Sequence, residues 1–357
     1  MGQQAGTYAR SFRCEGNYSR SPERVVVLTQ SASPTCDLYL RHRLAGSRLP
    51  VAYWTLGAPC PAPLDGSFLI IVRYVNRRAM KEIEEAASGL AGVAWLLDDD
   101  IGVAWRDRDL PLEYRIVMAH FWLRYARRIA RVTSELWLSS DVLAECFSGA
   151  GPVERIDPHP EPFPLPGMRE EGRGRPLRIF YHGQKTHRGE RHWLYPIIAA
   201  IHDRHEDTYF EIVGRRDVSK VYRDLPRVEV RPPLSWPDYL ERSRSVRFDI
   251  GLAPLLPTPF NQARSWVKYL DIARFGAVGI YADTAPYSHV VRNGENGLLC
   301  APENAEAWTD ALAMLVEDHD LRHRLKAGVD WPARLSVPSS LRRLMDEKSG
   351  SGNQHVS

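Results

Sequence analysis

Residues 254–283 read PLLPTPFNQARSWVKYLDIARFGAVGIYAD. An apolar strand over 248–253 leads into a proline-broken loop over 254–260. A helical pattern follows over 263–275, then Gly276 and a second apolar strand over 277–282. Strand, loop, helix and strand in that order make a βαβ unit, and such units build parallel sheets. Within the helical stretch Ser265, Lys268 and Asp271 are spaced by three, which places them on one face. Ser265 falls near the helix start, where a hydroxyl and free N–H groups suit phosphate. Lys268 follows one turn later, and Asp271 has the carboxylate to accept from ribose hydroxyls. The competing reading is a solvated face with a Lys–Asp pair.

The alternation extends both ways. Further strands are expected over 177–182, 209–213 and 228–231, with helices over 190–203, 236–243, 263–275 and 305–317. The first half repeats the pattern, with strands over 25–29, 51–54, 68–73, 93–97 and 135–138. Its helices are expected near 36–44, 80–88, 112–131 and 141–147. Between the halves, 157–167 reads DPHPEPFPLPG and 170–175 is charged and glycine-rich. Proline lacks the donor that helices and sheets need, so this stretch reads as a linker. The expected class is α/β, with two parallel sheets on either side of a ligand cleft at their strand ends.

Composition agrees. The 357 residues suit two domains, and 44% hydrophobic with 25% charged residues is globular usage. No apolar run approaches the roughly 20 residues that span a bilayer. Residues 1–24 are polar and lack the apolar stretch of a secretory signal. Five scattered cysteines with no Cys-x-x-Cys pair suggest reduced thiols and a cytoplasmic location. A net charge of +3 is too small to imply nucleic acid as a partner. Lysine occurs only six times against a large excess of arginine, so each lysine merits attention as a placed point charge.

A second constellation is YHGQKTHR, residues 181–188, between a strand and a helix. Such a junction offers free N–H groups and a positive dipole end, with Lys185 and Arg188 adding charge. The competing reading is an ordinary solvated loop. There is no Gly-x-Gly-x-x-Gly or P-loop pattern. His187 is the histidine expected at the site; the others show no metal spacing. Asp98, Asp99 and Asp100 follow a strand end and are acceptor-side candidates, against a solvated acidic turn. Over 115–131, arginines 124, 127, 128 and 131 lie beside Phe121, Trp122, Tyr125 and Ile129. This is favoured as a packed helix with a solvated arginine face, over one lying on an anionic membrane surface.

The stretch from Lys268 resembles the donor-site region of family 4 glycosyltransferases (glycosyl transferases group 1), which have the GT-B fold of two Rossmann-like domains. The shared features are Lys268 with Asp271, the strand Gly276-Ala277-Val278-Gly279-Ile280, and the turn Asn293-Gly294-Glu295-Asn296-Gly297-Leu298-Leu299. Residues 183–187 resemble the first donor-domain loop of a subgroup. The sequence departs from the pattern at Ala263, where the family has an acid, at Asp271, where glutamate is usual, and at Val278, where proline is usual.

The resemblance implies a flexible tail over 1–24, an N-terminal acceptor domain over 25–156, a linker over 157–176, a C-terminal nucleotide-sugar domain over 177–330 and a C-terminal helix and tail over 331–357. It implies Gly183, Gln184, Lys185, Ser265, Lys268 and Asp271 as donor-binding residues. Lys268, Lys185 and His187 are the candidate catalytic residues. The expected reaction is sugar transfer from a nucleoside-diphosphate sugar to a saccharide or lipid-linked acceptor, as in polysaccharide biosynthesis, with retention of configuration. No metal and no cofactor beyond the donor is expected. Peripheral contact with the inner face of a membrane accompanies the lipid-linked alternative. The rivals are a nucleotide-sugar epimerase on the same fold and a non-catalytic nucleotide-sugar-binding protein.

Overall fold

A computed structural model describes residues 12–168, 175–183 and 186–345. Gln184 and Lys185 therefore lie outside the described residues, as does 169–174 of the expected linker. The chain forms two compact units. The first takes in the chain up to Asp98, 123–161, and the stretch from Arg334; the second takes in 99–122 and 162–333.

The first unit holds a six-stranded sheet: β1 (Arg24–Thr29), β2 (Val51–Thr55), β3 (Ser67–Val72), β4 (Gly92–Leu97), β5 (Glu135–Leu138) and β6 (Val153–Arg155). Its order is β2-β1-β3-β4-β5-β6, and every pair is parallel. β3 and β4 are buried along their whole length, as continuous apolar runs in a covered parallel sheet should be. The three-residue β6 escapes a pattern reading because it is too short to show one.

Part of the expected tail over 1–24 is packed into the first unit. Phe12 is buried, with its ring 5.3 Å from Trp95 and 5.6 Å from Phe147. The amides of Cys14 and Glu15 donate to Ala150 and Ala130. Apolar burial and backbone pairing of a few residues outweigh the polar composition around them. At the other end the helix Ser339–Leu344 packs in the same unit, where Ser339 donates to the Glu154 carboxylate through both its amide and its hydroxyl. The start of the expected linker is also built in. Asp157 exchanges hydrogen bonds with Ser336, and its carbonyl accepts from Arg43.

The second unit holds β7 (Leu177–Tyr181), β8 (Thr208–Val213), β9 (Val228–Arg231), β10 (Ile250–Ala253), β11 (Val278–Ala282) and β12 (Leu298–Cys300). The order is β12-β11-β10-β7-β8-β9, again all parallel. The chain winds outward from β7 to β9, then returns to the other side of β7 and winds outward to β12. Loops leaving β7 and β10 therefore diverge and open a crevice at the carboxyl ends of these neighbouring strands.

The helix expected over 263–275 starts later, and a separate short helix precedes it, beginning in the expected loop. Pro259–Gln262 is capped by the Thr258 hydroxyl, and a second helix runs Val267–Arg274. Ser265 therefore sits in the turn between them and not on the helix face with Lys268 and Asp271. The second helix stops at Gly276, whose φ of 77° suits a residue without Cβ. Among the described residues no helix is long and apolar enough to cross a membrane. The helix Leu112–Val132 buries Phe121, Tyr125 and Ile129, as expected. Its exposed side, however, carries Leu112, Ile116, Val117 and Leu123 in addition to arginines 124, 127 and 131.

Candidate functional site

The crevice beside β7 and β10 is where the two sequence constellations meet. β7 ends at Tyr181, so His182 and Gly183 open its loop. A Cβ on Gly183 would lie 2.6 Å from the Tyr181 hydroxyl, so only glycine lets the loop pass over that ring undisturbed. From the other side, the helix Val267–Arg274 presents Lys268. Its ammonium donates to the carbonyl of His182 and lies 3.4 Å from the Asp271 carboxylate. Burial pulls the Lys268 ammonium below the ordinary lysine value, and Asp271 offsets part of that. Lys268 and Asp271 thus share one helix face, three residues apart, at the mouth of the Gly183 loop.

What holds this mouth in place is a buried ionic cluster. Glu211, in the middle of β8, has no exposed side-chain surface. Its carboxylate accepts from Arg242 at 2.7 and 2.9 Å, from Arg231 at 3.0 Å and from His182 Nε2 at 3.0 Å. An ionised carboxylate can only accept, so His182 Nε2 carries the proton and Nδ1 is left to accept from the Tyr239 hydroxyl at 3.4 Å. Burial alone would raise Glu211, but His182, Arg242 and Arg231 hold it down to about 2. The imidazole is further clamped by Phe180, Phe248 and Phe275, with ring centroids 4.5, 5.6 and 5.2 Å away. A fixed His182 fixes the carbonyl to which Lys268 is bonded.

A second buried glutamate lies on the other side of the loop. Glu190, near the start of the helix Arg188–Arg204, accepts from the Asn261 amide at 2.7 Å and faces His187 Nδ1 at 3.9 Å. His187 Nε2 meets Arg264 NH1 at 2.8 Å. Arginine only donates, so Nε2 is bare and the imidazole proton sits on Nδ1, toward Glu190. Burial, then the positive Arg264, push His187 down to about 4, which keeps the ring neutral. Burial pulls Glu190 the other way, yet its hydrogen-bonding partners and Arg264 leave it ionised, near 2. Arg264 also donates to the Thr186 hydroxyl at 3.2 Å and stacks over Phe260, with 4.8 Å to the ring centre. Arg264, Glu190, Asn261 and Thr186 were not singled out in the sequence; the one available signal was an arginine directly after Ala263.

The turn at 293–297 is positioned by Asn296, which is fully buried. Its amide donates to the Val290 carbonyl at 3.0 Å and to the Tyr269 hydroxyl at 3.3 Å, tying the turn to the helix that carries Lys268. The three aspartates separate. Asp98, in the first unit, accepts from Thr35 at 2.7 Å and pairs with Arg73 at 2.8 Å. Asp100 is buried as the N-cap of the short helix Ile101–Ala104. Asp99, in the second unit, has its carboxylate 4.0 Å from Arg264 Nε. Among the described residues no group of three or more His, Cys, Asp or Glu converges as a metal ion would require. All five cysteines are free thiols.

Comparison with known proteins gives the geometry a family. Residues 176–318 match the family model described as Glycosyl transferases group 1. HepE from Anabaena, solved in complex with UDP-glucose, superposes with a TM-score of 0.54 at 13% identity, covering 86% of this chain and 93% of that one. Sucrose-phosphate synthase from Thermosynechococcus elongatus superposes with a TM-score of 0.53 at 13% identity, covering 87% and 96%. At such identities these likenesses establish the fold. A search of curated protein sequences finds no match. Residues 176–318 are therefore a glycosyl transferases group 1 domain, the domain of a glycosyltransferase, in a chain of GT-B fold.

Proposed function

We propose that the protein transfers a sugar from a nucleoside-diphosphate sugar to a saccharide or lipid-linked acceptor, without a metal ion, and that the crevice beside β7 and β10 holds the donor. The observation that carries this reading is Lys268 tied to the His182 carbonyl at the Gly183 loop, with Asp271 one turn along the same face. Negative charge grows on the diphosphate as the glycosidic bond breaks, and a positioned ammonium and loop amides stabilise it. Asp271 would accept from the ribose hydroxyls, and Ser265, in the turn before the helix, would meet a phosphate oxygen. Lys185, two residues after Gly183 in sequence, would reach the same diphosphate. HepE, solved with UDP-glucose, supports a nucleotide-sugar donor on this fold. The exposed leucines, isoleucine, valine and arginines of the helix Leu112–Val132 favour an acceptor presented at a membrane surface.

The test is kinetic. A charge-assisted hydrogen bond is worth about 1.5–3 kcal/mol, so Lys268→Ala is expected to weaken donor handling about ten- to hundredfold, mostly in kcat. Lys268→Arg is expected to recover part of the loss, and Asp271→Glu to keep or improve activity. Near wild-type kinetics in all three, in an enzyme shown to turn over, would remove the donor-site assignment. Ala263 gives one specific rival: binding of nucleotide sugar with no transfer, hydrolysis or epimerisation of a labelled sugar would mean a binding protein. Loss of turnover with chelator, restored by magnesium or manganese, would overturn the metal-free mechanism.

A further inference from the structure

Arg264 differs from the other arginines near the crevice in what surrounds it. Arg231 and Arg242 are neutralised by direct contact with Glu211. Arg264 is gripped instead by two neutral acceptors, the bare Nε2 of His187 and the Thr186 hydroxyl. Its nearest carboxylate, on Asp99, stands 4.0 Å from Nε, which has no hydrogen-bond partner among the described residues. About a sixth of the side chain is open, at 17% exposure. The guanidinium is thus fixed in position by hydrogen bonds without its charge being cancelled by them. It also ties the turn after Gln262 to the loop after β7, so it stands where the two sides of the crevice meet.

We propose that Arg264 binds an anionic group of the ligand, the diphosphate of a nucleoside-diphosphate donor, and that His187 and Glu190 are positioning residues that hold it there. The inference rests on the donor-site reading and extends it. Glu190, 3.9 Å from Nδ1, draws the imidazole proton to that side by charge alone; that leaves Nε2 as an acceptor; the acceptor aims the guanidinium. His187 itself is buried behind Arg264 and serves the site through it. A planar donor fork held by neutral partners is the arrangement that gains most from a diphosphate, because the ligand supplies the missing counter-charge. Asp99 supplies part of that charge, and the diphosphate would displace it.

Calorimetric titration of the full chain with inorganic pyrophosphate, and with UDP, GDP and ADP, tests this. Arg264→Ala is expected to weaken pyrophosphate and the preferred nucleoside diphosphate about ten- to hundredfold, with Arg264→Lys between it and wild type. His187→Gln keeps an acceptor close to the Nε2 position and is expected to retain affinity. His187→Ala removes the acceptor and is expected to lose several-fold. Wild-type binding that Arg264→Ala and Arg264→Lys leave unchanged overturns the inference while sparing the donor-site reading. A wild-type chain that binds no pyrophosphate and no nucleoside diphosphate overturns both. If both His187 variants lower the melting temperature equally and neither alters affinity, the positioning role is wrong.

Discussion

His182 and His187 stand five positions apart, and each leans on a buried glutamate, yet the two pairs are built for different ends. Glu211 is saturated: two arginines and an imidazole fill its lone pairs, and Arg178 NH2 approaches within 3.7 Å. Glu190 meets one amide and one neutral imidazole, and the cation of that group, Arg264, lies beyond the imidazole. A closed cluster spends its charge on fixing the backbone at β7. An open one keeps charge available at the crevice. Burial is nearly the same in both; the difference lies in where the cations point.

Predictions that would break or sharpen this contrast fall in a clear order. Removing the carboxylate from the closed cluster, Glu211→Ala, takes away the counter-charge that Arg242 and Arg231 share and is expected to cost roughly 3–5 kcal/mol in urea unfolding. Variant protein that remains folded should still bind nucleoside diphosphate; an affinity loss larger than the stability loss would show that the cluster is not merely structural. Next comes pH. His187, pushed down to about 4, stays neutral in the fold while its unfolded counterpart takes a proton near 6.5. Its contribution to stability is therefore complete above about pH 6.5 and is lost as pH falls from there toward 4. His202, also held at about 4, adds in the same direction. Melting temperatures over that range should fall, and His187→Gln should flatten the curve; an unchanged slope would contradict a neutral, buried His187. Glu211 and Glu190, both held near 2, contribute stability present above their unfolded value near 4.5 and lost as pH falls toward 2, a later step of an acid titration than that of His187. The smallest effect belongs to an exposed pair in the same unit. Arg292 reaches Glu295 at 2.8 Å and Asp330 at 3.1 Å with half its side chain in water, so Glu295→Gln is expected to change stability by about 0–1 kcal/mol. A loss as large as that of Glu211→Ala would mean that exposure does not set the scale.

Much of the fold was legible because buried parallel strands are apolar along their length. The run at 135–138 is a strand with those bounds, the half-buried edge strand 228–231 is found by its alternation, and the helix at 305–317 is likewise as expected. The start of the helix expected over 263–275 is not legible because no Pro or Gly marks the turn at 263–266. Contacts impose the turn: Ala263 and Trp266 are buried, and Arg264 is drawn toward His187 and Thr186. Lys268 and Asp271 could be found from spacing and resemblance, since both operate within one turn of helix. The supports could not. Glu190 and Asn261 meet across 71 residues, Glu211 and His182 across 29, and nothing local distinguishes a glutamate that will be buried from one that faces water.

The three-part make-up of the first unit has a consequence for synthesis. Its sheet is complete at Arg155, but the helix Ser339–Leu344 and the Ser336 that pairs with Asp157 come off the ribosome more than 170 residues later. The second unit, by contrast, has every piece in hand once Ala333 has emerged. The unit that begins first in the chain is thus the one that must finish last, and through most of translation it stands with the place for its closing helix unfilled.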